Sequence, residues 1–251
     1  MTAPLFLLDP GDLDATEPGS TVVLDGAEGR HAVTVRRIAA GELVDVADGA
    51  GVLARCRVGQ VLPSRGQAAL QLDVLEVLRQ PEPAPRFVLV QALAKGGRDD
   101  LAIEAATELG VDEVVPWQAS RCVVVWRGAR GDKAQASWVA TVRAAAKQSR
   151  RARVPAVAPV VTGAALTERV ARAALAVVLH EEATTPLAGV ELPADGEVLL
   201  VVGPEGGIAP AELAGLTAAG AVAARLGEPV LRSSTAGPAA LAVLSAAARW
   251  R

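Results

Sequence analysis

Three short stretches combine residue types able to bind and activate a small molecule. The first is Gly203-Pro204-Glu205-Gly206-Gly207. It sets a carboxylate among glycines, which let backbone lie against a ligand in conformations other residues avoid. The second is "RLGEPVLRSSTAGPAAL", Arg225 to Leu241. Gly227 and Pro229 lead into Val230 and Leu231, an apolar pair expected to be buried, and then into Arg232-Ser233-Ser234-Thr235. The third, "VVLHEEA", ends in His180, Glu181 and Glu182. An arginine and nearby amides can stabilise negative charge as it develops, and a carboxylate can accept a proton.

Two common phosphate-binding patterns are absent. No Lys-Ser/Thr follows the glycines at 203–207, and their spacing is not GxGxxG. Taken alone, the loop reads equally well as a tight connection between two elements. Three unusual loops within one domain favour a shared pocket over three independent turns.

Those loops need elements to hold them. "EVLLVV" before Gly203 is a continuous apolar run, and "AELAGLTAAG" after it has helical spacing. Ala209 is the expected N-cap and Pro210 the first helical residue. Alanine has no capping oxygen, so Glu212 lacks the usual capping-box partner. "RFVLVQAL", "VDEVVPW", "ALAVVLHEE" and "AVAARLG" are further buried strands, with "RCVVVW" an additional apolar run. "DDLAIEAATELG" reads as a helix stopping at Gly110, a long helix is expected from about Lys133 to Arg153, and "STAGPAALAVLSAAARW" is a terminal helix. Strands apolar on both faces, alternating with helices, predict a parallel α/β sheet with ligands at the strands' carboxyl ends.

The seam of the chain is "RQPEPAPR", Arg79 to Arg86, whose alternating prolines predict an extended linker. Before it, short β-rich runs are divided by turn signals such as Asp25-Gly26 and Asp48-Gly49. Residues 1–80 are therefore expected to form a small β-barrel with one helix near Glu28–Ala40, 81–86 the linker, and 87–251 the α/β domain.

Composition narrows the function. The chain has 251 residues, 51% of them hydrophobic, enough for a full core. No apolar run is long enough to span a membrane, and the N-terminal "MTAPLFLLDPGDL" does not read as a signal peptide. Cys56 and Cys122 form no CxxC, which favours a reducing, cytoplasmic location. With His31 and His180 the only histidines, a zinc site is not expected. The formal charge of −3 argues against a general nucleic-acid coat. With no tyrosine and only Phe6 and Phe87, a base-stacking sheet is not expected either. The four tryptophans, Trp117, Trp126, Trp138 and Trp250, read as core or dimer anchors.

At this point "GPEGGI" followed by "LGEPVLRSSTA" resembles the small-subunit ribosomal RNA methyltransferase E family, within the SPOUT (trefoil-knotted) methyltransferases. The likeness runs in order along nearly the whole chain. Ala92 to Val124 resembles the family's Lys-x-x-Arg, Glu-Leu-Gly-Val and Ser-Arg blocks. Trp138 to Val157 resembles its Ala-x-x-Gln-Ser-x-Arg-x-x-x-Pro block, and Arg30 to Gly51 its N-terminal basic block. Departures are Ser234 where the family usually has Glu, Ala209 where it has Ser or Thr, Ala105 where lysine is commoner, and Arg30 where a second histidine is common.

The resemblance implies an N-terminal PUA-like RNA-binding β-barrel, a C-terminal α/β domain with a trefoil knot, and a homodimer completing the site. It implies S-adenosylmethionine as cofactor, held by Leu179, Gly203, Glu205, Gly206, Gly207, Leu226, Gly227, Val230 and Leu231. The implied product is N3-methyluridine in 16S ribosomal RNA, formed on the small ribosomal subunit, with no metal and no membrane. Uracil N3 must lose its proton, and the anion spreads onto O2 and O4, so donors must face those oxygens. Arg232 is the expected donor, helped by amides near Ser233–Thr235. Glu205 is a candidate proton acceptor, or equally a group that orients the loop.

For the RNA, Arg143, Lys147, Arg150 and Arg151 recur as one face of the expected long helix, and His31, Arg36, Arg37, Lys95, Arg98 and Arg121 form a second basic set. A charge run is ordinarily a solvated face, and a lone histidine ordinarily a satisfied loop residue. Two other readings stand beside the methyltransferase. A dehydrogenase-like enzyme would need a Gly-rich first βα turn, which does not follow "RFVLVQAL". A catalytically inactive RNA-binding protein of the same fold would need neither the glycine loop nor Arg232.

Overall fold

The computed structural model describes residues 3–62 and 68–250. The chain divides into two compact units. One comprises the residues up to Glu82 together with Ala146–Val154; the other comprises Pro83–Ala145 and Pro155–Arg251.

In the first unit, β1 (Leu5–Leu7), β2 (Thr21–Leu24), β3 (Leu43–Ala47), β4 (Val52–Leu62) and β5 (Ala69–Arg79) form one sheet in the order β1-β3-β4-β5-β2. Only the β1–β3 pairing is parallel. Alternate residues turn inward, so Val44, Val46, Ala54, Cys56, Leu70 and Leu72 share a core with Phe6 and Leu24. The expected helix near Glu28–Ala40 is shorter and of two kinds: α1 (Gly26–Arg30) runs straight into a π-helix over His31–Val35. Ala152 and Val154 pack against Leu5, Leu7, Ala47 and Leu53, which is why 146–154 belongs to this unit.

The second unit is built on β6 (Arg86–Ala92), α2 (Arg98–Glu108), β7 (Glu113–Trp117), α3 (Gly128–Gln148, its last turn in the first unit), β8 (Ala156–Val157), α4 (Gly163–Arg172), β9 (Leu175–Leu179), β10 (Thr185–Pro186), β11 (Glu197–Val202), α5 (Pro210–Ala218), β12 (Val222–Arg225) and α6 (Ser233–Ala248). The strands form a seven-stranded sheet in the order β10-β12-β9-β11-β6-β7-β8, parallel throughout. Its central strands are buried on both faces, as their unbroken apolar runs predict. Gly237 lets α6 press onto the sheet: a Cβ there would lie 2.8 Å from Leu89 Cδ1. Trp117 and Trp138 are core residues, Trp126 meets Trp138 edge-on, and Trp250 is 56% exposed. Among the described residues no helix is long and apolar enough to cross a membrane.

Two expectations change. The long helix spans 128–148 rather than about 133–153. Arg150 adopts a left-handed φ of 59°, its amide bonds to Lys147 O, and the Arg151 amide reaches back to Ala146 O. That pair of bonds is a Schellman ending, here with arginine at the position glycine usually fills. The apolar run "RCVVVW" forms no strand, and Val123 is 76% exposed.

Candidate functional site

The loops leaving β9, β11 and β12 converge at the carboxyl ends of the sheet, where a parallel α/β fold binds ligands. Between them lies a cleft of about 390 Å³. Leu179, Gly203, Glu205, Gly207, Val230, Leu231 and Arg232 line it, so the three loops do share one pocket. Leu226 and Gly227 line a smaller recess of about 80 Å³, whose wall also includes Leu179, Val230 and Leu231. Gly206 lies outside both linings and is engaged from the other side of its loop. Ser233, expected beside Arg232, lines the cleft as well; Val202, Ile208 and Ala236 line it without having been expected there, and so does Arg98, expected instead as an RNA contact. His180 and Glu181 line both hollows, as the tip of "VVLHEEA" suggested.

The glycine loop needs its residue types. A Cβ at Gly203 would lie 2.6 Å from Ile208 Cγ1, and Gly207 has a φ of 71°. Ala209 and Pro210 open α5 as expected. The reciprocal half of a capping box forms without a serine, because Glu212 Oε2 accepts the Ala209 amide at 3.2 Å. Glu212 also accepts from the Ser120 amide and hydroxyl, both at 2.8 Å.

Glu205 is paired. Its carboxylate accepts from Arg98 Nη1 at 3.0 Å. Burial acts to raise its pKa, but hydrogen bonds from its own amide, the Arg98 side chain and the Lys95 amide, with the Arg98 charge, hold it below the usual carboxylate value. A carboxylate so stabilised is a weaker base. Neither thiol offers a nucleophile: burial first, then Asp45 and Asp73, pushes Cys56 up to about 12, and burial also raises Cys122.

Arg232 stands differently. It is exposed at the N-cap of α6, and its side chain has no ion-pair partner among the described residues. Its carbonyl accepts the Thr235 and Ala236 amides, each at 2.9 Å. The Thr235 amide, expected to face a ligand, is therefore already used. The Ser233 and Ser234 amides have no acceptor among the described residues, and Ser233 Oγ is buried without a partner. Val230 and Leu231 are 75% and 37% exposed, contrary to the expectation of burial, because none of the described elements covers the loop before α6.

The chain matches the family model for an RNA methyltransferase domain over residues 80–245 and that for an RNA methyltransferase PUA domain over 24–62. It is 49% identical to the ribosomal RNA small subunit methyltransferase E of Mycobacterium bovis, covering 100% of this chain and 94% of that protein. The chain belongs to the ribosomal RNA small subunit methyltransferase E family. Two solved structures agree in fold. The methyltransferase E of Neisseria gonorrhoeae, bound to S-adenosyl methionine, superposes with a TM-score of 0.81 at 26% identity over 98% of each chain. The putative methyltransferase Lpg2936 of Legionella pneumophila, in complex with the same cofactor, gives a TM-score of 0.81 at 26% identity over 99% of each chain.

The candidate RNA-contact residues fall in both units. Lys95, Arg98, Arg121 and Arg143 belong to the second unit; His31, Arg36, Arg37, Lys147, Arg150 and Arg151 to the first. Arg150 and Arg151 lie beyond the end of α3, so the predicted single helical face does not exist. Arg36 and Arg37 are exposed, Arg37 with a φ of 54°. Lys147 is bound at home: Nζ meets Glu28 Oε2 at 2.6 Å and sits 4.9 Å from the centre of the Phe6 ring. His31 packs edge-on against the same ring. Arg121 Nη1 donates to the Gly206 carbonyl at 3.0 Å.

Proposed function

We propose that this methyltransferase transfers a methyl group from S-adenosylmethionine to N3 of a uridine in 16S ribosomal RNA, on the assembled small subunit. The observation that carries the reading is the cleft itself: a pinned glycine loop on one wall, and on the other an arginine side chain and two helix-terminal amides with no partners among the described residues. Its volume and mixed lining suit a ligand of nucleoside size. Leu179, Val202, Ile208 and Ala236 supply apolar surface for a purine ring, and the backbone of 203–207 supplies donors and acceptors. When bound, S-adenosylmethionine supplies a methyl group on a cationic sulfur, already a good electrophile.

The chain's own residues must then deal with the pyrimidine. Arg232 and the Ser233 and Ser234 amides donate to ring oxygens on which charge builds as N3 loses its proton. Preorganised donors of this kind lower such a barrier by about 3–4 kcal/mol each. Glu205, ionised and held by Arg98, orients the loop rather than taking the proton.

The architecture that goes with this reading is a PUA-like barrel over residues 1–80, a linker over 81–86, and a knotted SPOUT domain over 87–251. Exposed Val230 and Leu231 beside the cleft support a homodimer in which a second copy covers them. The test is mass mapping of small subunits from a strain lacking this gene, before and after incubation with the purified protein and S-adenosylmethionine. A single new N3-methyluridine in 16S RNA is the expected outcome. A methyl group on another atom or base would refute the assignment.

A further inference from the structure

The glycine loop is fastened on one side only. Toward β6 and β7 it is held at two points, with a third at the start of α5 just beyond it. Glu205 accepts from Arg98 Nη1 at 3.0 Å, in the segment after β6. The Gly206 carbonyl accepts from Arg121 Nη1 at 3.0 Å, and Glu212 accepts from Ser120, both partners in the segment after β7. Arg121 also runs along the loop: a Cβ on Gly206 would lie 3.4 Å from Arg121 Cβ, and one on Gly207 3.7 Å from its Nη1. Toward β9 and α6 the loop faces the cleft. Among the described residues, no hydrogen bond joins 203–207 to 179–181 or to 226–236.

A glycine-rich segment has many conformations open to it, and ordering it at the moment of binding costs affinity. Fastening it beforehand removes that cost. We infer that Arg98 and Arg121 are positioning residues for the cofactor cleft: they hold 203–207 in its binding conformation, and are not phosphate contacts. The inference rests on the reading that the cleft binds S-adenosylmethionine.

The test uses the full chain, a thermal melt to read stability, and three further measurements. Calorimetry reads S-adenosylmethionine affinity, filter binding at two salt concentrations reads affinity for small-subunit RNA, and hydrogen exchange without cofactor reads the order of 203–208. Arg98→Ala and Arg121→Ala should each weaken S-adenosylmethionine binding by about tenfold, the scale of one charge-assisted hydrogen bond lost. Exchange across 203–208 should quicken, while RNA affinity and its salt slope stay put. Arg98→Lys, which keeps one donor for Glu205, should recover most of the affinity. The inference is overturned if RNA affinity falls and its salt slope drops by about one per arginine while S-adenosylmethionine binding holds. It is also overturned if neither affinity moves, or if cofactor affinity falls only with the melting temperature and without local change in exchange. If the unsubstituted protein binds no S-adenosylmethionine, the functional reading fails first, and this inference with it.

Discussion

The two ends of the parallel sheet are built to opposite specifications. At the amino ends of β6, β7 and β11, charges are matched. Arg86 meets Glu113 at 3.2 Å and Glu197 at 3.0 Å; Arg169 of α4 meets the same two carboxylates at 2.7 and 2.9 Å. Arg249 pairs with Asp112 and lies over the Phe87 ring. At the carboxyl ends, the Arg232 side chain, two amides and a serine hydroxyl have no partners among the described residues, and Val230 is open to solvent. Uncompensated polar groups are costly inside a fold unless a ligand completes them. One end of the sheet is therefore matched within the chain, and the other keeps the bonding capacity that the proposed substrate site would use.

The sharpest way to break this contrast is to remove the uncommitted arginine. Arg232→Ala should lower the rate of methyl transfer by about 10²–10³, the usual loss for one oxyanion donor. The melting temperature should not move, since the Arg232 side chain has no partner among the described residues and alanine keeps the N-cap carbonyl. Single-turnover kinetics beside a thermal melt would decide it; a normal rate would make the open end of the sheet a mere surface.

The opposite experiment removes a committed arginine. Arg169→Met leaves Glu113, whose side chain is only 12% exposed, and Glu197 facing Arg86 alone. Unfolding should become easier by roughly 2–3 kcal/mol, below the full cost of orphaning a buried charge because Arg86 and Glu197 reach solvent. Denaturant titration reads this, and S-adenosylmethionine affinity below the transition should be unchanged.

Acid sharpens the comparison further. Burial alone would raise the pKa of Glu113, but the hydrogen bonds and charge of Arg169, then Arg86, outweigh it and leave the pKa below the ordinary carboxylate value. A carboxyl with a depressed folded pKa contributes stability above its unfolded pKa and loses it as pH falls through the folded one. The stability gap between the protein and Glu113→Gln should therefore be widest near neutral pH and narrow steadily below about pH 4. A gap that stays constant into acid would mean that the carboxylate's charge is not what matters there.

How much of this was legible depends on the range of the interaction. The parallel sheet was, because unbroken apolar runs such as "VLLVV" need no partner to be recognised. The glycine loop and its α5 start were, because glycine and proline act locally. The end of α3 was not: a Schellman turn with arginine in the left-handed position leaves no glycine to mark it. Nor were the duties of the basic residues. Lys147 finds Glu28 from 119 positions away and Arg98 finds Glu205 from 107, so their charges could be read from the chain but not their partners. The exposure of Val230 was hidden for a related reason. An apolar pair signals burial without saying whether its cover comes from the same chain.

The smallest effect tests how completely the carboxyl end has been held back from stability. Glu212 reaches the Ala209 amide, yet the N-cap side chain offers no oxygen to the first turn of α5. Ala209 already has the extended backbone of an N-cap, with φ −67° and ψ 144°. A serine there could accept the amide of Glu212 with no backbone change. Ala209→Ser should therefore stabilise the protein by about 1 kcal/mol, the usual worth of a cap. Calorimetric unfolding would show it as a small rise in melting temperature. S-adenosylmethionine affinity should hold, because the glycine loop ahead of Ala209 is fixed by Arg98 and Arg121. If the cap stabilises the helix but weakens the cofactor, then α5 must shift on binding, and the absence of a capping hydroxyl is part of how the cleft works.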